Sequence, residues 1–249
     1  MIEWAMYIAL GAVLGTVGGL FGIGGGLIAI PALGVLFGLD QQLAQGTALV
    51  MVVPNVLLAL WRYHQRNRIE ARHALPLAVG GFVFAWLGSI WAVGVDAQSM
   101  RLGFVLFLVA LTAWNVARMF MRSAQPSAEL RHSWPWLGLL GSGAGVLGGL
   151  FGVGGAVVAT PILTSVFGAT QVVAQGLSLA LAAPSTAVTL LTYGVNQHVQ
   201  WSMGIPLAAG GLLSISWGVK LAHALPEKVL RSLFCGFLVL CAVMLALKI

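Results

Sequence analysis

The sequence predicts an all-α polytopic membrane protein made of two inverted-topology repeats. Each repeat is a glycine-broken re-entrant helical hairpin followed by three transmembrane helices. Three observations predict this. First, the chain is 59% hydrophobic and 7% charged, with a mean hydropathy of +0.98. A soluble domain carries roughly 25% charged residues, so this chain could not cover a surface facing water. Second, the run Gly18-Gly19-Leu20-Phe21-Gly22-Ile23-Gly24-Gly25-Gly26 recurs as Gly148-Gly149-Leu150-Phe151-Gly152-Val153-Gly154-Gly155 at an offset of 130 residues. Third, the basic residues change sides between the two halves, as shown below.

Aligned at that offset without a gap, positions 18–81 give 25 identities. They include Phe37/Phe167, Gln41/Gln171, Gln45/Gln175, Gly46/Gly176, Pro54/Pro184, Tyr63/Tyr193 and Pro76/Pro206. Soluble solenoid repeats have periods of about 20–50 residues, so 130 residues is the length of a half-transporter. Apolar segments fall at 4–20, 27–38, 42–62, 74–95 and 100–121, and again at 134–150, 156–168, 172–193, 203–222 and 229–247. This divides the chain into repeat one at 1–122, a polar proline-containing linker at 123–133, and repeat two at 134–249. The second segment of each repeat is short. At about 1.5 Å per residue, 27–38 covers about 18 Å of a hydrocarbon core about 30 Å thick. Such a segment reaches the interior and stops.

Charge sets the topology. Arg62, Arg66, Arg68 and Arg72 follow the third segment of repeat one, whereas 194–202 in repeat two holds no Lys or Arg. One connection later the pattern inverts, with Lys220, Lys228 and Arg231 in repeat two against Arg101 and Asp96 in repeat one. The linker flanks carry Arg118, Arg122 and Arg131. All of this agrees if each repeat crosses the bilayer three times net, its first two segments returning to their own side. The second repeat then enters upside down, as in many secondary transporters. The linker is expected in the cytoplasm and both termini outside. The bilayer therefore accounts for the basic balance, and a nucleic-acid partner is not expected. The glycine-rich faces suit internal packing or a homo-oligomer interface equally well.

The candidate site lies at the breaks. A helix leaves its first N–H groups unsatisfied and carries roughly half a positive charge there. Gly22, Gly24, Gly25 and Gly26, with Gly152, Gly154 and Gly155, would let an anion approach those donors closely. The glycines could instead only permit close helix packing, which is the expected role of Gly11, Gly15 and Gly19 and of Gly141, Gly145 and Gly149. In the third segments, Pro54 and Pro184 free a backbone carbonyl beside Asn55 in one repeat and Ser185 and Thr186 in the other. Polar groups at mid-membrane are functional candidates by default, and these three are expected as side-chain donors. Gln45 and Gln175, two turns earlier, are either site and gate residues or bonds that hold the hairpin.

No carboxylate or histidine falls inside an apolar segment, so neither a proton relay nor an acid–base pair is expected. No metal-ligand or nucleophile spacing occurs, which points away from an enzyme, a metal or a cofactor. Cys235 and Cys241 lie six residues apart and read as small apolar residues. Among the tryptophans, Trp4, Trp61, Trp91, Trp134, Trp136 and Trp201 sit near segment ends as interfacial anchors. Trp86, Trp114 and Trp217 are expected to face lipid or packing neighbours.

These motifs carry a family resemblance. G-x-x-G-G-L-F-G-I-G-G-G-x-x-x-x-P at 15–31, its echo at 145–161, A-Q-G-T-A-L at 44–49 and A-Q-G-L-S-L at 174–179 resemble the TauE/SafE family of sulfite exporters. The resemblance covers essentially the whole chain. It implies transport of small sulfur-containing anions (sulfite, thiosulfate, sulfoacetate and related sulfonates) across the bacterial cytoplasmic membrane. Repeat two departs from repeat one with Ala156 for Gly26 and Leu177 for Thr47, so an asymmetric site is expected. The substrate, the direction of transport and a coupling ion are not fixed by it. An anion channel and a Na⁺-coupled importer are the competing expectations.

Overall fold

A computed structural model describes residues 2–67, 69–120 and 134–246. Among them are ten helices and no strand. The first five are α1 (Ile2–Phe21), α2 (Gly26–Phe37), α3 (Gln41–Arg66), α4 (Ala71–Gly94) and α5 (Ala97–Phe120). The second five are α6 (Trp134–Phe151), α7 (Ala156–Ser165), α8 (Gln171–Val195), α9 (Trp201–Ala224) and α10 (Glu227–Ala246). Six of them, α1, α3, α4, α5, α8 and α9, are long and apolar enough to cross a membrane. The short α2 and α7, of 12 and 10 residues, fall where the sequence places half-helices.

The ends follow from local chemistry. Asp40 caps α3 by accepting from the Leu43 N–H at 2.8 Å, and Thr170 caps α8 at the matching position. Asp96 accepts from the backbone N–H of Ser99 at 2.9 Å, and that bond holds its carboxyl below the usual range. The arginine-rich stretch is less of a loop than its composition suggests. Arg62 and Arg66 belong to the last turns of α3, Arg72 to the first turn of α4, and only 67–70 connects them. The alkyl stems of arginine favour continuing the helix. Arg68, Arg122, Arg131, the linker at 123–133 and the side chains of Arg118, Trp134, Lys228 and Arg231 lie outside the described residues.

Packing repeats at the same offset as the sequence. Helix α1 lies along α9 and α6 along α4, and glycine makes both contacts close. A Cβ at Gly15 would fall 2.6 Å from Gly211 Cα, and one at Gly145 would fall 2.7 Å from the Gly81 carbonyl oxygen. Gly11 and Gly19 meet the backbones of Leu207 and Ile215, as Gly141 and Gly149 meet those of Leu77 and Ala85. These are the packing glycines. Phe21, at the end of α1, lies 5.4 and 4.9 Å from Phe234 and Phe237 of α10; Phe151 lies 5.4 and 4.8 Å from Phe104 and Phe107 of α5. Helices α3 and α8 are the most buried of the long helices. The C-terminal Tyr63 of α3 bonds the N-terminal Gln175 of α8, while Tyr193 bonds Gln45. These equivalent helices therefore run antiparallel. Most described tryptophans point outward: Trp4, Trp61, Trp86, Trp91, Trp114, Trp136, Trp201 and Trp217 are all at least half exposed.

Candidate functional site

Each break is a short loop of left-handed glycines. Gly22, Gly24 and Gly25 have φ of 66°, 70° and 93°; Gly152, Gly154 and Gly155 have 68°, 70° and 74°. A residue with a Cβ enters this region at a cost of roughly 1–2 kcal/mol, which explains the recurring spacing. Gly25 and Gly155 are the N-caps of α2 and α7, and neither helix start receives a side-chain cap. The N–H groups at the very start of each helix thus keep donor capacity at the positive end of the helix dipole, although Val158 N–H already donates to the Gly155 carbonyl at 3.1 Å. Within the break the chain turns tightly, with Ile23 N–H donating to the Gly18 carbonyl at 3.0 Å and Val153 N–H to that of Gly148 at 3.1 Å.

The two breaks meet. A Cβ at Gly26 would fall 3.5 Å from the carbonyl oxygen of Gly152, so α2 begins beside the break of the other repeat. Each break also packs on the glutamine of the opposite half. A Cβ at Gly22 would approach Gln175 Cβ to 2.8 Å, and one at Gly152 would approach Gln45 Cβ to 3.2 Å. All seven candidate glycines are buried.

Gln45 and Gln175 are fully buried. Tyr63 lies with its hydroxyl 2.9 Å from Gln175 Oε1 and 3.2 Å from the Gly19 carbonyl, donating to these acceptors. Tyr193 does the same to Gln45 Oε1 at 2.8 Å and the Leu150 carbonyl at 3.2 Å. Gln175 Nε2 donates to the Leu20 carbonyl at 3.3 Å, whereas Gln45 Nε2 is buried without a partner. The glutamines hold the hairpins, and one of them keeps a free donor. In the sequence the two tyrosines stand out only as a repeat identity, with no role attached. The signal was present, since each follows its glutamine by 18 positions in an antiparallel pair.

Asn55, Ser185 and Thr186 are fully buried beside the breaks. Asn55 Nδ2 donates to the Gly24 carbonyl at 3.4 Å, and its Oδ1 has no partner. The Ser185 hydroxyl donates to the Leu181 carbonyl at 2.7 Å and that of Thr186 to the Ala182 carbonyl at 2.8 Å. A Cβ at Gly81 would lie 2.7 Å from Ser185 Oγ; the matching Gly211 packs directly on the Asn55 amide. The hydroxyl hydrogens of Ser185 and Thr186, expected as donors to a ligand, are therefore spent on carbonyls of their own helix, and Asn55 gives one N–H to the Gly24 carbonyl. The two repeats also differ between the half-helix and the helix that follows it. Thr160 Oγ1 lies 2.9 Å from Ser178 Oγ, where repeat one has Ile30 and Ala48.

Gly-broken half-helices that meet at a buried polar centre are the architecture of a transport site. The comparison with known sequences decides the family. The family described as sulfite exporter TauE/SafE matches residues 7–245. This chain belongs to the TauE/SafE family. It is similar to the probable membrane transporter protein YunE of Bacillus subtilis, 23% identical over 92% of this chain and 90% of the relative. A probable membrane transporter protein of Xylella fastidiosa is 28% identical over 86% of this chain and 83% of the relative. One from Methanocaldococcus jannaschii is 27% identical over 64% and 60%. This TauE/SafE protein is thus a multi-pass membrane transporter and not an enzyme.

Proposed function

We propose that this transporter moves a small sulfur-containing anion, such as sulfite, thiosulfate or an organosulfonate, by alternating access. The anion is held between the two opposed half-helix N-termini, by backbone N–H groups around Gly22–Gly26 and Gly152–Gly155. The observation that carries this reading is the apposition of the breaks, with Gly26 beside the Gly152 carbonyl and both helix starts uncapped. Two such termini supply about one unit of positive potential without a buried cation. The free Gln45 Nε2 adds a donor.

Inverted repeats, spanning 1–122 and 134–249 with a cytoplasmic linker, suit this mechanism. The antiparallel α3 and α8 support it, because equivalent spanning helices in opposite directions are what inversion across the bilayer requires. The cluster of Arg62, Arg66 and Arg72 supports a cytoplasmic position for the α3–α4 connection and external termini in the cell membrane.

The test is flux of labelled sulfite, thiosulfate and sulfonates into proteoliposomes, with Asn55→Ala alongside. Saturable movement of one of these anions, reduced at least about ten-fold by a substitution that removes a positioning bond, is the expected result. Failure of all of them to bind or move would overturn the anion site, and flux that does not saturate would favour a channel.

A Na⁺-coupled reading is favoured by one observation: Asn55 Oδ1 is a buried acceptor without a partner, while the Ser185 and Thr186 oxygens, having given their hydrogens to Leu181 and Ala182, keep acceptor lone pairs. Hard cations take oxygen ligands of this kind. Replacing Na⁺ with choline in the same assay separates the two readings.

A further inference from the structure

The last turns of α3 and α9 carry a pair of cations, Arg62 and Lys220, that the anion site does not use. The two helices run parallel. Gly204 packs on Val50 and Gly211 on Asn55, and near the ends the Asn67 Nδ2 lies 2.9 Å from His223 Nε2. The ring of His223 also lies 4.9 Å from that of Tyr63. This register puts Arg62 and Lys220 within about one 5.4 Å turn of the same level.

They also share a seam. In the other half, Thr192 stands at the position of Arg62 and Ser89 at that of Val219, and their hydroxyls bond at 3.0 Å. Here the matching pair is Arg62 and Val219, an apolar side chain that offers no acceptor. By this register Arg62 stands on α3 opposite Val219 of α9, and Lys220 is the next residue along α9.

Neither cation is neutralised. Arg62 Nε is buried without a hydrogen-bond partner, and among the described residues no carboxylate pairs with Arg62 or Lys220. Each instead lies over a tryptophan: the Arg62 guanidinium is 4.7 Å from the Trp61 ring centre and the Lys220 ammonium 5.2 Å from that of Trp217. Both tryptophans face outward, 52% and 69% exposed. Trp61 lies near the end of α3, where outward-facing tryptophans sit at headgroup level, and Trp217 lies about two turns inside the end of α9. Helix C-termini attract cations by themselves, but that field gives the Nε–H no acceptor. A phosphate oxygen would.

We propose that the seam between the ends of α3 and α9 binds the phosphate headgroup of an anionic membrane lipid, gripped by Arg62 and Lys220 and flanked by Trp61 and Trp217. Arg66, exposed one turn beyond Arg62, extends the same face into the headgroup layer. The guanidinium takes the phosphate oxygens as a fork while the lysine acts as a point charge. The acyl chains lie along the exposed faces of the two helices. Basic pockets between spanning helices are suited to such headgroups.

The experiment is native mass spectrometry of the full chain taken from bilayers of phosphatidylcholine mixed with phosphatidylglycerol. Wild type is expected to retain phosphatidylglycerol in preference to phosphatidylcholine. A basic residue at the membrane surface contributes about five-fold, so Arg62→Gln with Lys220→Gln together should lower that preference about twenty-five-fold. Lys220→Arg, which keeps the charge, should retain most of it, and an unfolding midpoint of the double variant near that of wild type is the control for folding. Equal retention of the two lipids by wild type, or an unchanged preference in the double variant, would overturn the proposal. Inorganic phosphate is the second arm. If it displaces phosphatidylglycerol at millimolar concentration, the site takes a soluble oxyanion and the lipid assignment fails. None of these outcomes depends on which anion is transported.

Discussion

The hydroxyl of Tyr63, near the end of α3, donates to Gln175 Oε1, near the start of α8, at 2.9 Å. Its counterpart joins Tyr193 to Gln45 at 2.8 Å. Along α3 the two clamps are 18 residues, or about 27 Å, apart, so they tie the antiparallel pair at opposite ends. Tyr63→Phe and Tyr193→Phe should each lower stability by about 0.6–1.7 kcal/mol, the range for buried hydrogen bonds between membrane helices. At that separation the double variant should be additive within about 0.5 kcal/mol. Thermal unfolding in detergent measures all three. Strong non-additivity would mean that the clamps share one cooperative element.

The clamps are not equal. Gln175 closes a second bond to the Leu20 carbonyl, and Gln45 has none on its Nε2. Removing a bonded buried group costs more than removing an orphaned one. Gln175→Leu should therefore destabilise by about 1–2 kcal/mol more than Gln45→Leu, with unfolding midpoints as the measure. The transport effects should run the other way. A free donor beside the break is available to a ligand, so Gln45→Leu should raise the KM for the anion more than its small stability loss suggests.

Gly25 and Gly38 both adopt positive φ, at 93° and 70°, but their surroundings differ. A Cβ at Gly25 would fall 2.7 Å from the Leu14 carbonyl oxygen, while one at Gly38 meets nothing within 4 Å. Gly38→Ala should cost only the backbone term, about 1–2 kcal/mol, and keep transport. Gly25→Ala adds a clash with backbone that cannot swing aside, so it should fail to fold or lose transport entirely. Expression level and flux of the pair, side by side, are the check. Equal tolerance would show that the break relaxes easily.

Much of this was legible before any coordinates. The duplicated glycine run marks both breaks, because φ > 0 admits few residues besides glycine, and the shortness of the segments that follow marks the half-helices. Gly11, Gly15 and Gly19 were read as packing residues from i, i+4 spacing alone. What stayed hidden is tertiary. The pairing of Tyr63 with Gln175 spans 112 positions, and periodicity says nothing about partners across a bundle. The use of the hydroxyls was hidden for another reason. Ser and Thr in a membrane helix choose between a ligand and the carbonyl one turn back, and composition does not record the choice. The arginine cluster read as a loop because its charge outweighed its helix propensity.

That choice gives Ser185 and Asn55 different expected behaviour, although both are fully buried beside a break. Ser185 spends its hydrogen on the Leu181 carbonyl within its own helix. Such a back-bond adds little and slightly bends the helix, so Ser185→Ala should change stability by less than about 0.5 kcal/mol. If the site holds only an anion, the loss of an acceptor should leave anion KM unchanged or slightly lower. If an oxygen-liganded cation accompanies the anion, the same substitution should raise the Na⁺ concentration needed for half-maximal flux. Asn55→Leu removes instead the bond to the Gly24 carbonyl, and flux should fall whichever ion is varied. Measuring flux against anion and against Na⁺ for both variants therefore assigns the Ser185 oxygen: a Na⁺ response confined to Ser185→Ala makes it a ligand, and a flat response leaves it as helix packing.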